Sequence, residues 1–173
     1  MSTRHFIYAV LALLLAMAVQ SPLKAQNMVP TLQEQVAGTW MIVSQYVEVD
    51  GQRVDTIGPN AKGSTIFDQS GHFVSVVQAA NLPKFASNNR LTGTDAENTA
   101  VIHGSLAYYG TYTVNEKNNT ITLHLEGSTF PNWDGVVQTR TVAISANRMN
   151  MDTKYTASSI GQGEVRLVYQ RAK

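Results

Sequence analysis

The 173 residues carry 13 Lys+Arg against 12 Asp+Glu, a formal charge of +1, with 43% hydrophobic residues and no cysteine. That is chain enough for one domain with a sizeable core. Near-neutrality excludes the electrostatic footprint of a nucleic-acid or anionic-lipid binder, and the lack of thiols excludes a disulfide framework, a lipid-modified cysteine and a cysteine nucleophile.

The chain opens with Arg4 and His5 ahead of an apolar run from Phe6 to Val19, followed by a polar, Pro-containing segment that ends in Leu23-Lys24-Ala25. That run is shorter than the ~20 residues a bilayer core requires. Charged head, apolar middle and small-residue cleavage site in this order predict a signal peptide over residues 1–25 rather than a retained anchor. A periplasmic or secreted protein starting at Gln26, with no integral membrane anchor, is the expectation. Cleavage would remove two of the 13 basic residues, Arg4 and Lys24, and none of the 12 acidic ones, taking the charge from +1 to −1. Residues 26–35 read as a polar spacer, and residues 36–171 as a single domain.

Within that domain, β-branched and aromatic residues from Gly38 to Val49 predict a long strand that runs into a hairpin at Asp50-Gly51. Trp40, Ile42, Ser44 and Tyr46 are expected to share one of its faces. Further strands are expected at Arg53 to Ile57, Thr65 to Asp68, His72 to Gln78, Ala107 to Val114, Thr120 to Glu126, Gln138 to Ser145, Arg148 to Thr153 and Glu164 to Arg171, with a Gly/Pro loop at Gly58 to Gly63. Short strands at this spacing suit a sandwich or barrel. The long connection from Ala79 to Leu106 holds Thr94-Asp95-Ala96-Glu97, a capping box, and so predicts a short helix at Asp95 to His103. That helix either fills a crossover or forms a lid over a barrel mouth.

Several motifs then stand out. Gly38-Thr39-Trp40 looks like the G-x-W of lipocalins. Gly58-Pro59…Lys62-Gly63, Ala107-Tyr108-Tyr109-Gly110-Thr111-Tyr112, Glu126-Gly127-Ser128 with Pro131-Asn132-Trp133 and Gly135, and Arg166-Leu167-Val168-Tyr169 together resemble the bacterial and fungal lipocalin-like domain family, from Val36 to Arg171. The resemblance implies an all-β fold, an antiparallel up-and-down calycin-type barrel of about 8–10 strands around an internal cavity. It supplies no catalytic set. It gives structural roles to Gly38 and Trp40, and to Arg166 or Arg171 as the arginine lying over the first-strand tryptophan, with Arg166 taken forward.

Candidate site residues follow from alternation. In the strand from Thr120, Ile121, Leu123 and Leu125 share one face and Thr122, His124 and Glu126 the other. Facing out, His124 and Glu126 are ordinary solvated residues. Facing in, they join Arg140 in a polar cluster inside an apolar cup and form a weak acid–base candidate, since a carboxylate two residues away tunes an imidazole. Arg140 shares its face with Val142 and Ile144, so its guanidinium either snorkels at a strand end or points into a cavity. Tyr108 and Tyr109 are candidates for the pocket wall, and Asn132 and Trp133 for its rim. No serine-hydrolase motif occurs, and His72, His103 and His124 are dispersed, so neither a metal nor a cofactor is expected. The expected function is binding of a small, mainly hydrophobic molecule. The alternatives are a cofactor-free isomerase, cyclase or hydrolyase using His124 and Glu126, and an envelope interaction protein with a packed interior.

Overall fold

A computed structural model describes residues 29–157 and 161–173. The proposed leader lies outside the described residues, as does the first part of the spacer. All nine strands belong to one antiparallel sheet: β1 (Gly38–Val49), β2 (Gln52–Asp55), β3 (Lys62–Phe67), β4 (His72–Gln78), β5 (Ser105–Asn115), β6 (Thr120–Ser128), β7 (Val137–Ser145), β8 (Arg148–Ala157) and β9 (Gly161–Arg171). From β3 to β9 neighbours follow one another in sequence, β1 lies between β2 and β3, and β1 also pairs with β9, which closes eight strands into a barrel and leaves β2 as the extra one. Closure removes the free edges that an open sheet would expose.

The extra strand exists because β1 is shared. Its first residues pair with β3, from Gly38↔Phe67 to Met41↔Ser64, and its last pair with β2, from Tyr46↔Asp55 to Val49↔Gln52. The predicted Asp50-Gly51 turn makes the second pairing: both residues have positive φ, 50° and 75°, which matches the twist of a two-residue hairpin.

Two devices set which side chains enter the barrel. Strands β4 and β6 alternate strictly, so Phe73, Ser75 and Val77, and Ile121, Leu123 and Leu125, are buried while their neighbours face out. Strand β1 does not. Its register against β9 shifts between Ile42 and Ser44, a bulge at Val43. Trp40 lies inside before it, and Val47 lies inside after it, so the inward parity changes from even to odd. The expected common face of Trp40, Ile42, Ser44 and Tyr46 is thereby broken, and Tyr46 packs outside under Arg53, whose guanidinium carbon lies 4.1 Å from the ring centre.

One end of the barrel is plugged by α1 (Leu32–Val36), a helix whose first four residues fall in the stretch read as spacer. Five residues cannot hold a helix alone. Thr31 and Glu34 form a capping box, Leu32 and Val36 are buried in the core, and the Glu116 carboxylate from the β5–β6 turn accepts from the amides of Leu32 (2.9 Å) and Gln33 (3.3 Å). The outgoing carbonyls are met from the other side. Trp40 Nε1 donates to Val36 O at 2.7 Å, and Arg171 donates to Ala37 O at 3.0 Å and to Gln35 O. The same guanidinium lies 4.2 Å over the Trp40 ring. A Cβ on Gly38, at φ +128°, would sit 2.7 Å from Arg171 Nη1, which is why the G-x-W glycine carries no side chain. Arg171, not Arg166, therefore holds the place over the tryptophan. Arg166 instead points outward and pairs with Glu48, Glu164 and Asp152 at 2.9, 2.9 and 3.5 Å.

The second helix, α2 (Asp95–His103), starts at the predicted capping box, with Thr94 N–H donating to Glu97 at 2.8 Å. Among the described residues no helix is long and apolar enough to cross a membrane.

Candidate functional site

Above the α1 plug the barrel is solid. Phe67 meets Tyr112 edge-on at 5.0 Å and Phe73 at 6.0 Å, and Leu123, Leu125, Met149 and Met151 fill the remaining space. Toward the other end the side chains stop meeting. A cavity of about 550 Å³ opens there, lined by Gln45, Val47, Thr56, Ile57, Leu106, Tyr108, Trp133, Val137, Gln138, Thr139, Arg140, Thr153, Val165 and Leu167. Its size falls in the ~300–1,000 Å³ range of small-molecule sites.

Each wall has a local cause. The β1 bulge brings in Gln45 and Val47, alternation on β9 brings in Val165 and Leu167, and alternation on β7 brings in Gln138 and Arg140. Trp133 arrives by another route. The turn Pro131–Trp133 is a single 3₁₀ turn with Pro at its start, and the half-buried indole it presents stands edge-on to Tyr108, ring centres 5.5 Å apart at 85°.

At the inner limit of the cavity lies Arg140, 4% exposed and, among the described lining residues, the only charged one. Its Nη1 donates to Tyr108 Oη at 3.3 Å and its Nη2 to Gln138 Oε1 at 2.8 Å. Its Nε is buried with no partner among the described residues. No described carboxylate forms an ion pair with it. Burial opposes the charge, while the Tyr108 and Tyr169 phenols beside it favour it and leave the guanidinium above its ordinary value. Beyond it, Thr65 Oγ1 donates to Tyr169 Oη at 3.3 Å and bonds Ser75 Oγ at 2.8 Å. Burial, with Tyr108 adding to it, pushes the Tyr169 phenol well above its ordinary value against the opposite pull of Arg140, Thr65 and Ser75.

The residues singled out from sequence divide cleanly. Arg140, Tyr108 and Trp133 line the cavity together. His124 and Glu126 do not: both are exposed on the outer face of β6, because Ile121, Leu123 and Leu125 take its inner one. The inward polar cluster of His124, Glu126 and Arg140 is thus corrected, and with it an acid–base pair inside the barrel. Tyr109, 53% exposed, also lies outside, one residue out of phase with Tyr108, its ring covering the Cα of Gly127. Asn132 is exposed in its turn and contributes nothing to the lining. No residue of α2 lines the cavity either. Among the lining residues that sequence reading passed over are Gln45, Val47, Gln138, Val165 and Leu167. Gln138 was accessible to it, two places before Arg140 on the same strand; Gln45 and Val47 were hidden by the bulge.

A barrel closed first strand to last around such a cavity places the chain in the lipocalin-like class. The chain belongs to the lipocalin-like domain family, whose model matches residues 37–172. A comparison with curated proteins found no match.

Proposed function

We propose that the protein binds a small, mainly apolar molecule inside the barrel and does so outside the cytoplasm. The observation that carries the first part is the contrast along one barrel: a solid half, and a half holding about 550 Å³ walled chiefly by Val47, Ile57, Leu106, Trp133, Val165 and Leu167. Burying an apolar guest against such walls contributes roughly 25 cal/mol per Å² of surface removed from water. The order of charge, apolar run and small residues over 1–25 supports the second part. Among the described lining residues no imidazole or carboxylate is present, so the walls favour holding a molecule over moving a proton.

The test uses a neutral apolar fluorophore, N-phenylnaphthylamine, with the chain starting at Gln26. Its emission is expected to rise on binding, and Val165→Trp, which puts an indole into the cavity, is expected to abolish the rise while circular dichroism stays unchanged. No binding by the parent chain, or equal binding by Val165→Trp, overturns the reading.

A further inference from the structure

Arg140 is in an uncommon position for a buried cation. A guanidinium offers five N–H donors and does not lose its proton in proteins. Here two are engaged, by neutral oxygens of Tyr108 and Gln138, and Nε has no partner among the described residues. Nothing in the described lining carries a compensating negative charge. Removing a charge from water without an opposite charge nearby is costly, so a chain that keeps this arrangement carries an unmet demand for an anion. The demand faces the cavity, since Arg140, Tyr108 and Gln138 are all part of its wall.

The neighbouring donor narrows the chemistry. Tyr108 Oη already accepts from Arg140, and its own hydrogen, which has no acceptor among the described residues, can serve a second acceptor on the cavity side. A planar guanidinium fork with an adjacent phenol suits a planar, two-oxygen anion, and the rest of the wall is largely apolar. We propose that the occupant is an apolar monocarboxylic acid, its carboxylate seated on Arg140 and the Tyr108 hydroxyl and its hydrocarbon against Leu106, Trp133, Val165 and Leu167. One cation without a described acidic partner calls for one negative charge. This inference rests on the cavity being a binding site and adds the class of ligand.

The experiment compares dodecanoate with dodecanol as competitors for bound N-phenylnaphthylamine at pH 8. Wild type is expected to prefer dodecanoate by about tenfold or more, the worth of one charge-assisted contact. In Arg140→Met the preference is expected to fall to near parity, and in Tyr108→Phe it is expected to drop several-fold. In wild type it is also expected to shrink as the pH is lowered through the acid's own pKa. Equal displacement by the acid and the alcohol in wild type overturns the carboxylate assignment and leaves the apolar cavity standing. A preference that survives Arg140→Met overturns the role of the arginine. Failure of the fluorophore itself to bind overturns both this inference and the reading beneath it.

Discussion

The two ends of this barrel each hold an arginine beside an aromatic ring, and they satisfy it differently. At the plugged end Arg171 is only partly buried, yet it donates to two backbone carbonyls and lies 4.2 Å over Trp40. At the cavity end Arg140 is 4% exposed and its guanidinium carbon stands 5.8 Å from the Tyr108 ring, with Nε unpartnered among the described residues. The more deeply buried cation has the poorer set of partners. Arg171 joins α1 to β1 and β9 and acts as a structural clamp, whereas Arg140 is held at the cavity by two neutral side-chain oxygens and keeps a buried Nε–H without a partner among the described residues.

Replacing each arginine by Met should therefore give unequal costs. Arg171→Met strands the carbonyls of Gln35 and Ala37 and uncovers Trp40, so it should cost about 2 kcal/mol. Arg140→Met removes a buried charge met only by the neutral oxygens of Tyr108 and Gln138 and keeps a side chain of similar length, so the ligand-free protein should lose less than the Arg171 variant, under about 1 kcal/mol. Urea unfolding of both variants measures the pair. A loss at Arg140 equal to that at Arg171 would mean that both ends are clamped, and the contrast would be lost.

That contrast was only half legible in the sequence. Strand identities were, because alternation on β4 and β6 and the turn residues at Asp50-Gly51 are local signals. The helix at Asp95 was legible through its capping box, and the same pattern, Thr31 to Glu34, marks α1; the spacer reading overlooked it, since so short a helix owes its existence to Glu116, Trp40 and Arg171 far along the chain. The choice of Arg171 over Arg166 depends on the register of β9 against β1, which no single strand encodes. Likewise the Val43 bulge decides that Gln45 and Val47, not Ser44 and Tyr46, reach the cavity. Arg140 was legible as a charge on an apolar face; the lack of a described acidic partner was not, because that depends on every strand around it.

The two ends should also answer differently to alkali. Tyr169, near the cavity floor, is held far above the ordinary phenol value of about 10, chiefly by burial. Tyr112, at the plugged end, is raised by burial and by Asp68, while its bond from Gln33 works the other way. A phenol whose folded pKa lies above its unfolded one keeps its proton in the native state while the unfolded chain gives its own up. Its contribution is whole below about pH 10 and is lost as the pH rises toward the folded value, with a slope of up to about 1.4 kcal/mol per pH unit for each such tyrosine. Tyr169→Phe should flatten more of that slope than Tyr112→Phe, because the shift at Tyr169 is the larger. Unfolding midpoints between pH 9 and pH 11 measure the difference, and equal slopes in the two variants would remove this distinction between the ends.

The smallest expected effect lies on the outer wall, where His124 and Glu126 sit in water. His124 faces out opposite Thr111 on β5 and Val137 on β7, and Glu126 follows on the same side of β6. Neither touches the cavity, and neither has a buried partner whose loss would leave a polar group unsatisfied. Surface strand residues of this kind change stability by less than about 0.5 kcal/mol when replaced. His124→Ala and Glu126→Ala should accordingly leave both the urea midpoint and the affinity for N-phenylnaphthylamine as in the parent chain. The measurement discriminates because the barrel separates the faces of β6 sharply: Leu123 and Leu125, one step either side of His124, are almost fully buried, and Leu125→Ala should cost 2 kcal/mol or more on the order of a core truncation. A tenfold loss of binding in His124→Ala would show that the outer wall of β6 communicates with the cavity. It would also return a functional role to the strand whose inner face is otherwise only packing.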